Sequence, residues 1–210
     1  MTLLDKDIRE PLFQYLEERY GLVRILEEKE IGQSRADAVM VTADSLYGIE
    51  IKSDADTYAR LSSQVKDYDQ YYDFNYVVAG STHGLHVAEH VPWYWGIITV
   101  EWYEDRVDFY LAREPERNPH MDLRRKLSLL WRPELVRIQE KHELPKYKEK
   151  SKLFVQEKIL EKVSPQDLQA DISNELFERD YTTIGEEIDA WRAAHEKKPK
   201  RKKRPRGPRA

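Results

Sequence analysis

Two short apolar stretches, residues 35–41 and 47–53, carry three charged side chains that an ordinary buried sheet excludes: Asp37, Glu50 and Lys52. Glu50 and Lys52 are two residues apart, so on a strand their side chains leave the same face, while Ile49 and Ile51 leave the other. Ala43, Asp44 and Ser45 supply a turn that folds the second strand back on the first. That hairpin brings Asp37 near Glu50, so two carboxylates and an ammonium converge. Two hard oxygen donors beside a cation are the arrangement for a divalent metal with a phosphate next to it. The plainer alternative is a solvated Glu50–Lys52 pair on an exposed sheet face, with Asp37 an acid at a strand end.

Hydrophobic spacing sets the frame around this hairpin. Ile8, Leu12, Tyr15 and Leu16 predict a helix over 5–20 ended by Gly21, with Pro11 marking either a kink or a start near Glu10. Residues 22–26 read as a first strand and 27–33 as a polar connection. After the hairpin, Asp56 or Thr57 caps a helix to about Tyr72 whose inner face is Tyr58, Leu61, Val65, Tyr68 and Tyr72, with Gln64 on its edge. Residues 74–79 are a buried strand, 82–90 a short helix, and 97–102 with 107–111 a second hairpin. His83, His86 and His90 fall on one face if that short helix is continuous; packing is the expected role, ahead of zinc. Beyond residue 118 the pattern is helical only: 122–131, 133–142, 151–163, 165–179 and 184–195. Ser164-Pro165 and a Thr183…Glu186 capping box mark two of the starts.

Composition closes off other chemistries. None of the 210 residues is cysteine, which excludes disulfides, thiolate zinc sites, iron–sulfur clusters and cysteine nucleophiles, and fits a cytoplasmic protein. No apolar run approaches the roughly 20 residues of a membrane span, and the N-terminus lacks the pattern of a signal peptide, so no membrane partner is expected. The whole chain carries a formal −4, but residues 197–209 hold nine Lys/Arg and no acid, leaving residues 1–196 at −13. A cationic tail of this kind, with Lys200, Arg201, Lys202, Lys203 and Arg204 at its centre, stays disordered and attracts polyanions, nucleic acid first; a solubilising end is the plainer alternative.

Asp37 followed by Glu50-Ile51-Lys52, within a helix–strand–strand–strand–helix–strand order, resembles the PD-(D/E)XK motif of restriction-endonuclease-like nucleases. The likeness covers roughly residues 5–140. It is closer to a bacterial and phage family of PD-(D/E)XK-like proteins within that superfamily than to archaeal-type Holliday-junction resolvases. It is carried also by Arg35-Ala36-Asp37, by residues 48–54, by Arg60-Leu61-Ser62-Ser63-Gln64 and by residues 91–96 (Val-Pro-Trp-Tyr-Trp-Gly). Ala36 stands where the motif has proline. The resemblance implies an α/β fold with a central mixed sheet flanked by helices over 1–145; beyond it the helical spacing reads as a C-terminal helical extension over 146–196, followed by the basic tail over 197–210. The resemblance also implies Mg²⁺ or Mn²⁺ held by Asp37, Glu50 and the Ile51 carbonyl, Lys52 acting on the attacking water or the phosphate, and Gln64 touching that water or Lys52. A further acid from the first helix is expected at Glu10, with Asp7 its rival, and Ser34, Arg35 and Ser53 are expected near the phosphate. The expected activity is metal-dependent phosphodiester hydrolysis, DNA ahead of RNA. The alternative is a nucleic-acid- or partner-binding module without turnover, and the C-terminal helices are the candidate surface for a homodimer or protein partner.

Overall fold

In the computed structural model the described residues are 2–183 apart from 85, together with 185, 186 and 190. The first compact unit spans Met1–Glu178. Helix α1, Asp5–Tyr20, buries Ile8, Leu12 and Leu16, the expected stripe. It runs through Pro11 rather than starting at it, and Gly21 ends it with φ of 75°, a conformation that costs a glycine little. Strand β1, Arg24–Ile31, takes in residues expected to be a polar connection. Among the described residues it is an edge strand, paired with β2 alone, and its charged residues make it a poor template for further pairing.

Strands β2 (Ser34–Val41), β3 (Leu46–Lys52), β4 (Phe74–Gly80), β5 (Gly96–Tyr103) and β6 (Arg106–Arg113) complete a six-stranded sheet in sequence order. β1, β2 and β3 are mutually antiparallel, β3, β4 and β5 parallel, and β6 antiparallel to β5. The parallel step from β3 to β4 is a crossover through a 3₁₀ turn, Tyr58–Arg60, and helix α2, Leu61–Tyr71. Between β4 and β5 lie helix α3, Ser81–Gly84, and a 3₁₀ turn, Val87–Glu89, in place of the continuous helix expected. The three histidines therefore share no helix face. Tyr58 instead stacks on His90 at 4.0 Å and meets the edge of His83 at 4.8 Å.

Each sheet face has its own apolar cluster. Ala38, Met40, Ile49, Ile51, Tyr76 and Val78 pack against α1. Val39, Val41, Leu46, Val77 and Ala79 pack with Leu61, Tyr68 and Tyr72 of α2. The same cluster takes in helices α4 (Leu123–Ser128), α5 (Arg132–Lys141), α6 (Lys152–Lys162) and α7 (Pro165–Phe177) through Leu127, Leu135, Ile138, Val155, Ile159, Leu168 and Ile172. Packing therefore does not part at residue 146. α4 stops three residues short of Trp131, which is the residue preceding α5. A fully buried ion pair, Lys126 Nζ to Asp73 Oδ2 at 2.5 Å, ties α4 to the entry of β4.

The second unit begins at Arg179. Its described residues 181–183 are helical, and Asp180 Oδ1 accepts the amide of Thr182 at 2.8 Å. The expected helix over 184–195 falls largely outside the described residues, and the basic tail, with Lys200, Arg201, Lys202, Lys203 and Arg204, lies wholly outside them.

Candidate functional site

The sheet opens at Asp37. Ladder pairing of β1 with β2 runs Glu27↔Ala38 and then Lys29↔Ala36, passing over Glu28 and Asp37, and Glu28 has φ of 51°. Pairing of β2 with β3 begins only at Ala38↔Ile49. The amide of Ile51 thus lacks a strand partner, and Asp37 Oδ2 accepts it at 2.8 Å. Asp37 is part of how the sheet is closed as well as a charge at its opening.

Glu50 and Lys52 are not a solvated pair: their side chains are 1% and 5% exposed, with Lys52 Nζ 2.6 Å from Glu50 Oε1. Gln64, from α2, accepts from Lys52 at 3.1 Å and donates to the same Glu50 oxygen at 2.5 Å. Tyr68, one turn on, donates to Glu50 Oε2 at 2.7 Å, with the Ile49 carbonyl also within 3.0 Å of its hydroxyl, and accepts the Asp37 amide at 3.2 Å. One buried hydroxyl therefore links Asp37 to Glu50. Gly48 makes this possible, since a Cβ there would collide with the rings of Tyr68 and Tyr72.

The first helix contributes a cation. Arg9 places Nη2 3.6 Å from Asp37 Oδ1 and donates through Nη1 to the Asp37 carbonyl at 3.1 Å, while Asp5 holds its Nε at 2.7 Å. Glu10 is exposed and takes part in none of these contacts among the described residues, and Asp7 Oδ2 accepts the Leu4 amide at the helix start. Arg9 was missed in the sequence, although the Asp5–Arg9 spacing of an i,i+4 pair was there to see.

Burial, and then the nearby charge of Glu50, raise the Asp37 carboxyl to about 7, against the pull of the Ile51 amide and Arg9. Tyr68 is raised by burial first and by Glu50 and Asp37 next, so its hydroxyl remains a donor at neutral pH. Beside Asp37 lies a cleft of about 540 Å³, whose lining includes Ser34, Arg35, Asp37, Arg60, Ser63 and Gln64. The β1–β2 turn forms one wall and is pinned to α2, with Ser34 Oγ and the Gln33 amide on Asp67 and the Gly32 amide on the Tyr71 hydroxyl. Arg35 is exposed and pairs with Glu28 at 3.3 Å. Ser53 is buried and gives both its amide and its hydroxyl to Asp56, away from the cleft.

Among the described residues no group of three or more histidine, aspartate or glutamate side chains is placed to hold a metal. Two hard carboxylates are present. Among the described residues Asp37 Oδ1 is the one oxygen of the four without a hydrogen bond, and its residue lines the cleft. The donor chemistry suits a hard divalent cation that keeps several waters. No described helix is long and apolar enough to cross a membrane.

No curated protein and no solved structure matches the chain. Residues 2–200 match the model of the family described as Bacteriophage P4 protein cII, and the chain belongs to that family.

Proposed function

We propose that the chain is a divalent-metal-dependent nuclease on a restriction-endonuclease-like core, hydrolysing phosphodiester bonds in DNA ahead of RNA. The observation that carries this reading is the meeting of Asp37, Glu50, Lys52 and Gln64 beside a polar cleft at the carboxyl end of β3. A divalent cation bound there would polarise a phosphate oxygen and lower the pKa of a water. Asp37, Glu50 and the Ile51 carbonyl are the groups to hold it. The Lys52 ammonium has three protons; Glu50 and Gln64 take two, leaving one for a phosphate oxygen or the attacking water. Tyr68 fixes the Glu50 carboxylate, and Arg35 supplies a cation at the cleft for the strand backbone. With the body at −13, the basic tail supplies much of the sequence-independent affinity.

A second reading, a binding module without turnover, is favoured by one observation: both Glu50 oxygens are already hydrogen-bonded. Cleavage of single-stranded, duplex and branched DNA and of RNA in Mg²⁺ and Mn²⁺ separates the two. The nuclease reading expects products from the wild type, and loss of products with binding retained in Asp37→Asn and Lys52→Met. Binding without cleavage by any of the three proteins supports the silent module, and equal cleavage by all three removes these residues from the reaction.

A further inference from the structure

Arg9 stands where an acid was expected, and its surroundings are specific. Three carboxylates face it: Asp5 on its own helix at 2.7 Å, Glu27 of β1 at 3.4 Å and Asp37 of β2 at 3.6 Å. Its side chain is 19% exposed and that of Asp37 24%. A guanidinium keeps its charge at any working pH. Its bonds go to Asp5, Glu27 and the Asp37 carbonyl, whereas the contact with Asp37 Oδ1 is longer than a hydrogen bond. Arg9 therefore offsets the charge of that oxygen without occupying its lone pairs. Asp5 and Glu27 hold one side of the guanidinium, and its remaining face lies toward Asp37, as Lys52 lies against Glu50.

We infer that Arg9 is a built-in counter-ion that competes with a divalent cation for Asp37, setting metal affinity low until a phosphate strand arrives. The inference rests on the metal-dependent reading above. A dication at Asp37 would lie within a few ångströms of the guanidinium. At the effective dielectric of a partly exposed site, that repulsion lowers affinity tenfold or more. A phosphodiester entering the cleft brings its own negative charge beside the dication and offsets the guanidinium's repulsion, so metal and strand load together. Arg9 is on this account a positioning residue, acting through Asp37.

The test is Mn²⁺ binding to the full chain by titration calorimetry at fixed pH and low salt, with folding checked by circular dichroism. Arg9→Met is expected to bind Mn²⁺ at least tenfold more tightly than the wild type, Arg9→Lys to stay near the wild type, and Asp37→Asn to lose binding. Arg9→Gln, which keeps a hydrogen-bonding side chain without the charge, replaces Arg9→Met should that variant not fold. If Arg9 only staples α1 to the sheet, Arg9→Met loses stability at unchanged Mn²⁺ affinity. That result, with Asp37→Asn still abolishing binding, overturns the inference and leaves the metal reading standing. Absence of Mn²⁺ binding in the wild type, Arg9→Met and Arg9→Gln alike overturns both.

Discussion

Replacing Tyr68 by phenylalanine removes a single oxygen from the most connected point of the site. Two groups lose their partner: the Asp37 amide, 3.2 Å from the hydroxyl, and Glu50 Oε2, 2.7 Å from it. Both sit against a side chain with no solvent exposure, so water cannot take its place without rearrangement. A buried group left unpaired costs about 1–3 kcal/mol, more for a charged one, which puts the total near 3 kcal/mol. For a chain of this size 1 kcal/mol corresponds to about 2–4 °C, so the melting temperature should fall by roughly 6–12 °C. Tyr72, one turn later and equally buried, is the control, because its hydroxyl has no hydrogen-bond partner among the described residues. Tyr72→Phe discards a group that was desolvated without compensation and should leave the melting temperature unchanged or raise it. Differential scanning calorimetry of both variants decides the matter. Equal losses in the two, or a Tyr68→Phe protein melting with the wild type, would refute the bonding argued for this site.

Lys126→Met removes the buried ion-pair partner of Asp73, leaving the Leu46 amide and the more distant Arg117, and should cost about 3 kcal/mol in urea unfolding, with much of it recovered in the Lys126→Met/Asp73→Asn double variant. Gly48→Ala forces a methyl into the Tyr68 and Tyr72 rings, and the overpacking should cost about 1–3 kcal/mol in the same assay. Asp69 is raised above the usual carboxylate range by burial, against the Tyr94 and Trp95 donors that pull it down. Its native form therefore binds a proton more tightly than the unfolded chain, so its contribution to stability falls as pH rises from the ordinary carboxylate value through the raised one. Melting curves across that window should slope less in Asp69→Asn than in the wild type. Deleting residues 197–210 should weaken nucleic-acid binding and flatten its salt dependence; an unchanged slope of affinity against salt would count against a role for the tail.

The elements most legible in the sequence were those where one pattern dominates. The Ile8–Leu12–Leu16 stripe and Gly21 placed the body and the C-terminal end of α1, with Pro11 leaving its start open, and the alternation around Ile49 and Ile51 placed β3. β1 was half read, because its second half is charged and its pairing comes from the backbone, which leaves no hydrophobic trace. The polar triplet was readable because it breaks the apolar rule of its strands, whereas Gln64, on the edge of its helix's apolar face, was singled out by the resemblance. Which residue of α1 reaches Asp37 was not readable, since neighbours on a helix point about 100° apart and only the docked helix decides between Arg9 and Glu10. The shared core of α4 to α7 was equally hidden: a charged stretch at 146–150 reads as a linker, while the apolar contacts on either side of it are long-range.

The Tyr68 hydroxyl has one hydrogen and two acceptors within reach, Glu50 Oε2 at 2.7 Å and the Ile49 carbonyl at 3.0 Å. It is a rotor with two settings, the shorter and stronger bond going to the carboxylate. In one it restrains the carboxylate; in the other it turns to the backbone and sets Oε2 at liberty, with the number of hydrogen bonds conserved. The second setting leaves a buried carboxylate oxygen unpaired, so it gains weight only where a cation takes the place of the hydroxyl at that oxygen.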